Sequence, residues 1–101
     1  MANDFKDYVA EAQEQASPAE RRAVDADRAR FRIGTKVLQQ RLSAGLTQQQ
    51  LSGASGIAQA DISRIERGQA NPTADTLQAL GSPLDVTLEF VAIDAAVSAM
   101  N

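Results

Sequence analysis

The chain has no cysteine, no histidine and no tryptophan. Without cysteine there is no disulfide and no thiol nucleophile, and without cysteine or histidine the common zinc sites are excluded. Acid–base chemistry would fall to carboxylates or lysine, and the acids are scattered along the chain with no convergent set. No glycine-rich loop follows a strand pattern, so nothing resembles a nucleotide-phosphate cradle. An enzyme is not expected, and neither a cofactor nor a metal is called for. No apolar run approaches the ~20 residues that span a bilayer. The N-terminus is acidic and lacks the apolar segment of a signal peptide, so a cytoplasmic location is expected. One tyrosine and three phenylalanines among 101 residues set a small core in one domain with, at most, an added arm.

Positive charge is also scarce overall, with a formal net charge of −3, but its distribution is uneven. Residues 1–27 carry seven acids and three bases, a net of −4. Residues 28–80 carry seven bases and three acids, a net of +4, and residues 81–101 carry three acids and no base. A locally basic surface matters more to phosphate binding than the whole-chain balance. The acidic flanks weaken non-specific attraction to DNA and are available to a basic partner.

What is present is concentrated between Leu46 and Gly68, LTQQQLSGASGIAQADISRIERG. Thr47 and Gln50 have the spacing of a capping box, and Leu46 with Leu51 that of a hydrophobic staple. Gly56 suits the left-handed residue past a helix end. Ile57 with Ile62 repeats the staple at the start of the next helix. Ile62 and Ile65 share that helix's inner face, leaving Gln59, Ala60, Ser63, Arg64 and Arg67 to project elsewhere. A largely uncharged polar face flanked by arginines suits base edges and phosphates.

These residues resemble the helix-turn-helix of the Cro/lambda-repressor-like, or XRE, family. The matching positions are Gln48, Leu51, Ser52, Gly56, Ile57, Ile62 and Ile65, with Arg41, Glu66, Gly68, Asn71 and Pro72. The resemblance runs from about residue 33 to 90. Two positions depart from it: Ser55 replaces an apolar residue, and Ala58 replaces the usual Ser or Thr cap, whose loss is worth about 1 kcal/mol. The resemblance implies a homodimer on a palindromic site in double-stranded DNA. Gln59, Ala60, Asp61 and Arg64 would then lie at the major-groove floor, with Gln59 on adenine, Arg64 on guanine and Ala60 on a thymine methyl. Asp61 either accepts from cytosine or holds Arg64 at i+3, and the holding role is favoured. Gln48, Ser63, Arg67, Asn71 and Thr73 are the expected phosphate contacts, several of them at helix N-termini. In the family an Arg and a Glu at the positions of Arg41 and Glu66 commonly pair inside the domain, so a structural ion pair is expected there over a phosphate contact.

The flanks are read from periodicity. Phe5, Tyr8, Val9 and Ala12 form one helical stripe. Ser17, Pro18 and Glu20 then open a new helix. Val24, Phe31 and Leu38 carry that pattern on, with Gly34 as its only interruption, as one helix over residues 18–44 or as two. Asn71 and Pro72 are expected to open a further helix that Gly81 stops. Leu84, Val86, Leu88 and Phe90 alternate with polar residues, the period of a half-buried strand. A lone strand needs a partner, and a second copy supplies it. The expectation is an all-α, five- to six-helix lambda-repressor-like fold. It has an N-terminal helical arm (1–32), a DNA-binding domain (33–81) and a C-terminal dimerisation strand and tail (82–101). The layout also resembles the HigA-type antitoxins. That implies a transcriptional repressor of its own operon whose arm, through Asp4, Phe5, Tyr8, Val9 and Glu11, engages a small basic RelE-like toxin. A repressor without a toxin, its arm folded on itself, is the alternative, and a protein-interaction module with a degenerate DNA surface is a third reading.

Overall fold

The computed structural model describes residues 17–92. Four helices follow one another: α1 Pro18–Ser43, α2 Gln48–Ser55, α3 Gln59–Glu66 and α4 Ala74–Leu84. The expected stripe at Phe5, Tyr8 and Val9 lies outside the described residues.

Helix α1 is one unbroken helix of 26 residues. Ser17 and Glu20 form its capping box, with Pro18 in the first turn, where its missing N–H is no loss. Ala44 caps the C-terminus, and Gly45 follows with φ 73°. Gly34 does not interrupt this helix; it is where α1 crosses α3. A Cβ at Gly34 would collide with the carbonyl oxygen of Ile65 and lie 3.1 Å from that of Glu66.

Thr47 and Gln50 form the α2 capping box, and Gly56 ends α2 at φ 78°, a conformation that favours glycine. Ser52 Oγ donates to the Ile57 carbonyl at 2.6 Å, and Ile57 N–H donates to Ser55 Oγ at 3.1 Å. The hydroxyl at Ser55 thus replaces apolar packing with a hydrogen bond across the turn.

The core is small. Val37, Leu51, Ile62, Ile65 and Leu80 are buried, with Ile33, Leu46, Ile57, Ala70, Leu77 and Leu84 packed against them. Each fully buried aliphatic side chain contributes about 1.5–3 kcal/mol, so the fold depends on few residues. All four helices contribute at least one of the five.

Two expectations for the C-terminal helix are corrected. Asn71 and Pro72 do not open α4; Thr73 is its N-cap, and its side chain accepts from Thr76 N–H. Gly81 does not stop α4 but is buried within it, and the helix runs through Pro83 to Leu84. Pro83 has no N–H for the carbonyl four residues before it, and only Leu84 follows it in the helix. The chain closes instead at Asp85, φ 57°, where Val86 N–H donates to the Gly81 carbonyl and Asp85 N–H to that of Ser82. A Cβ at Gly81 would lie 2.5 Å from the Val86 carbonyl.

The fold class is corrected as well. Among the described residues there are four helices rather than five or six, and no strand. Leu84, expected to begin the strand, is the last residue of α4, and residues 86–92 have no regular structure. Alternation alone does not make a strand: backbone N–H and C=O groups need a ladder partner, and the helical chain offers none. Val86, Leu88 and Phe90 are exposed, Phe90 completely.

Candidate nucleic-acid interface

Helix α3 turns one side to the core and the other to solvent. Ile62 and Ile65 are buried, while Gln59, Ala60, Arg64 and Arg67 are exposed and Asp61 and Ser63 half-buried. Ala58 occupies the N-cap with no side-chain hydrogen bond. The first N–H groups of α3 are therefore without a cap side chain from Ala58, at the end where Gln59 and Ala60 project. Asp61 and Arg64 form an ion pair one turn apart, which holds the guanidinium over the outer face. Arg67 Nε donates to the Ser63 carbonyl at 3.2 Å and so lies along its own helix.

A shallow concavity beside α3 is lined by Ala58, Asp61, Arg64, Asn71 and Thr73. It brings the outer side of α3 and the N-terminus of α4 onto one face. Asn71 and Thr73 are exposed there. Thr73 spends its hydroxyl on the α4 cap, accepting from Thr76 N–H and donating to Thr76 Oγ1.

Behind this face lies a buried ion pair. Arg41 Nε donates to Glu66 Oε2 at 2.7 Å and Nη2 to Oε1 at 3.0 Å. Nη1 donates to the Leu46 carbonyl at 2.8 Å. The guanidinium thus ties α1, the loop before α2 and the end of α3 together, and is not turned outward to a phosphate. The hydrogen bond to Glu66 raises the Arg41 pKa above its ordinary value; burial works against this, and the Glu66 charge reinforces it. Among the described residues no buried side-chain polar atom lacks a partner.

Gln48 is half-buried and faces inward. Its Nε2 donates to Glu66 Oε1 at 3.0 Å, and its Oε1 accepts from Gln59 Nε2 at 3.5 Å. This link joins α2 to α3. The sequence carries no signal for it, because the partners are 18 and 11 residues away and only the helix crossing brings them together.

Among the described residues there is no cluster of acids that could hold a metal ion, and no helix is long and apolar enough to cross a membrane. The surface offers hydrogen-bond donors and acceptors on a protruding helix, with backbone N–H groups at two helix N-termini. That chemistry suits a polyanion with readable edges.

Comparison with known proteins agrees. A family model described as helix-turn-helix matches residues 37–91. A curated relative, an uncharacterized HTH-type transcriptional regulator of Haemophilus influenzae, is 43% identical over 56 residues, covering 55% of this chain and 57% of the relative. The chain therefore spans little more than half of that relative's length. A second, the uncharacterized HTH-type transcriptional regulator y4dJ of Sinorhizobium fredii, is 38% identical over 55 residues, covering 54% of this chain and 71% of the relative. Among solved structures, the restriction-modification controller protein C.AhdI from Aeromonas hydrophila superposes with a TM-score of 0.56 at 28% identity. That match covers 57% of this chain and 88% of the other.

Proposed function

The chain belongs to the helix-turn-helix family of XRE-type, DNA-binding transcriptional regulators, and from that premise we propose that it represses transcription by reading a specific site in double-stranded DNA with α3. One observation carries this reading: Gln59, Ala60 and Arg64 stand exposed on the outer side of α3, and Arg64 lines the concavity that α3 shares with the N-terminus of α4. Gln59 pairs with adenine, Arg64 with guanine and Ala60 meets a thymine methyl. Asp61 serves as the holder of Arg64. Ser63, Arg67, Asn71 and Thr73 lie where phosphates flank the groove. Occupancy of the site excludes polymerase.

Two copies acting together read a near-palindromic site, their recognition helices about 34 Å apart. The exposed apolar edge at Val86, Leu88, Phe90 and Val91 supports self-association, with no strand required.

The test is a selection of duplexes from a randomised pool by the full chain, followed by Arg64→Ala. The variant should bind the selected duplex about 1–3 kcal/mol more weakly and lose less on unrelated DNA. Equal loss on both would remove Arg64 from base reading.

A second reading adds a protein partner. Residues 19–28 of α1 are exposed along their whole length and precede the segment matched by the family model. An antitoxin would use such an extension, with Asp4, Phe5, Tyr8, Val9 and Glu11, which lie outside the described residues, to hold a small basic toxin. The relatives' names speak only of regulation, so repression without a toxin fits no worse. Co-purification of a small basic protein encoded beside this chain would favour the antitoxin. A chain that purifies alone from cells expressing both reading frames would favour the repressor.

A further inference from the structure

The N-terminal part of α1 is uncovered by the rest of the described chain. Every residue from 18 to 28 is exposed, and all of them precede the stretch matched by the family model. A helix of that length is marginal in water unless something packs on it. This part of α1 also carries an apolar line. Val24 and Phe31 stand seven residues apart on one side, 37% and 65% exposed. Phe31 sits beside the turn after α3: a Cβ at Gly68 would lie 3.1 Å from Phe31 Cα and Cδ2. The helical repeat puts Arg21 and Arg28 on the side of Val24 and Phe31, so the exposed face is both apolar and basic.

Charge selects what covers it. Residues 17–32 carry five bases and three acids, a net of +2, whereas residues 1–16 carry four acids and one base, a net of −3. Within residues 1–16, Phe5, Tyr8, Val9 and Ala12 recur at helical spacing, with Asp4 and Glu11 bordering them. A second copy of α1 fits worse. In either orientation that stacks Val24 and Phe31 of two copies, Arg28 falls beside Arg28, and like charges so placed oppose association. A small basic protein meets the same repulsion on this face.

We propose that the Val24–Phe31 face of α1 is the docking surface for the chain's own residues 3–13, which fold back along it in cis as the second arm of a helical hairpin. Ser17 and Pro18 make the corner. With equal rise on both sides of Ser17, Val9 comes level with about residue 25 and Phe5 with about residue 29. The apolar stripe then covers Val24 and Phe31, Asp4 falls within a turn of Arg28, and Glu11 falls within a turn of Arg21. This pairing depends neither on DNA reading by α3 nor on a toxin. It also sets a cost on any basic partner for the acidic arm, because that partner must first take the arm from α1.

The chain has no cysteine, so pairs of thiols can be introduced into the full chain without background. Val9→Cys with Val24→Cys puts both thiols in the contact. Val9→Cys with Arg22→Cys puts the second thiol on the far side of α1 at nearly the same level. Under mild oxidation in dilute solution, the first pair should close within one chain roughly tenfold faster than the second, because a disulfide needs Cβ atoms about 4 Å apart. Adding Asp4→Lys and Glu11→Lys to the first pair should remove most of that difference. Hydrogen exchange gives a second readout with no thiol in the chain. In Phe5→Ser with Val9→Ser, the amides of residues 19–28 should exchange roughly tenfold faster, while those of α2 and α3 keep their protection. Equal closure of the two pairs would mean mere nearness on a tether and overturns the docking. Disulfides formed only between chains would give the face to a second copy and overturn it as well. Unchanged exchange over residues 19–28 would show that the arm does not cover α1, with the same result.

Discussion

At the scale of single residues, Gly34 and the Arg41–Glu66 pair set the tolerance of the fold. Helix propensity alone favours Ala over Gly by about 1 kcal/mol. At Gly34 the added methyl meets the Ile65 carbonyl, and overpacking of this kind costs about 1–3 kcal/mol. Gly34→Ala is therefore expected to lower the urea midpoint; a raised midpoint would mean that α1 and α3 can separate without loss. The side chains of Arg41 and Glu66 are 10% and 4% exposed. Removing one partner strands a buried charge, so Arg41→Met should destabilise by about 3–5 kcal/mol. Arg41→Met with Glu66→Leu should recover most of that loss, because the stranded charge is gone. If the double variant is as unstable as the single one, the hydrogen bonds to Leu46 and Gln48 matter more than the charge. The Arg–Glu pairing was suggested by resemblance, whereas the inward turn of Gln48 had no precursor in the sequence. Capping and helix start explain Thr47 and Gln50, but nothing local to Gln48 says which of its two sides is covered.

At the scale of helices, local chemistry decided most boundaries. Ser17, Thr47, Gly45 and Gly56 act within one turn of themselves, so their roles are readable before the fold exists. Ala58 is the exception in composition. Its backbone sits at φ −60°, ψ 140° without a side-chain cap. Ala58→Ser should stabilise the protein by about 1 kcal/mol, read as a higher thermal midpoint. An unchanged midpoint would show that the α3 N–H groups are already satisfied by water. Helix α4 shows where local reading stops. Gly81 and Pro83 look like breakers, yet the helix passes both, because Gly81 is needed where the chain returns over it at Val86. The heptad-spaced Val24, Phe31 and Leu38 predicted a helix. Val24 and Phe31 remain exposed on it, since periodicity gives the helix but not what covers it.

For the whole molecule, the division of charge bears on the proposed association with DNA. With the positive charge held in residues 28–80 and acids on both sides, binding should weaken steeply with salt. The slope of log K against log salt reports the number of phosphates neutralised. Arg67→Ala should reduce that slope by about one unit with preferences unchanged; an unchanged slope would leave Arg67 bonded to Ser63 in the complex. The proposed self-association belongs to this scale too. Leu88→Arg together with Phe90→Arg should shift sedimentation toward monomer and reduce affinity for the two-fold site, while leaving the thermal midpoint close to that of the parent chain, since both side chains are exposed. An undisturbed dimer would place the interface elsewhere.

The sequence by itself determined where α1, α2 and α3 begin, where the central turn falls and which residues of α3 face away from the core, because caps, staples and 3.6-residue periodicity act over short distances. Tertiary structure alone decided that the alternating segment after Leu84 is not a strand, that Gly34 is a crossing point and that Gln48 faces a carboxylate. Each of these depends on what another helix brings within a few ångströms, and neither ladder pairing, close approach nor amide orientation has a meaning until that neighbour is in place.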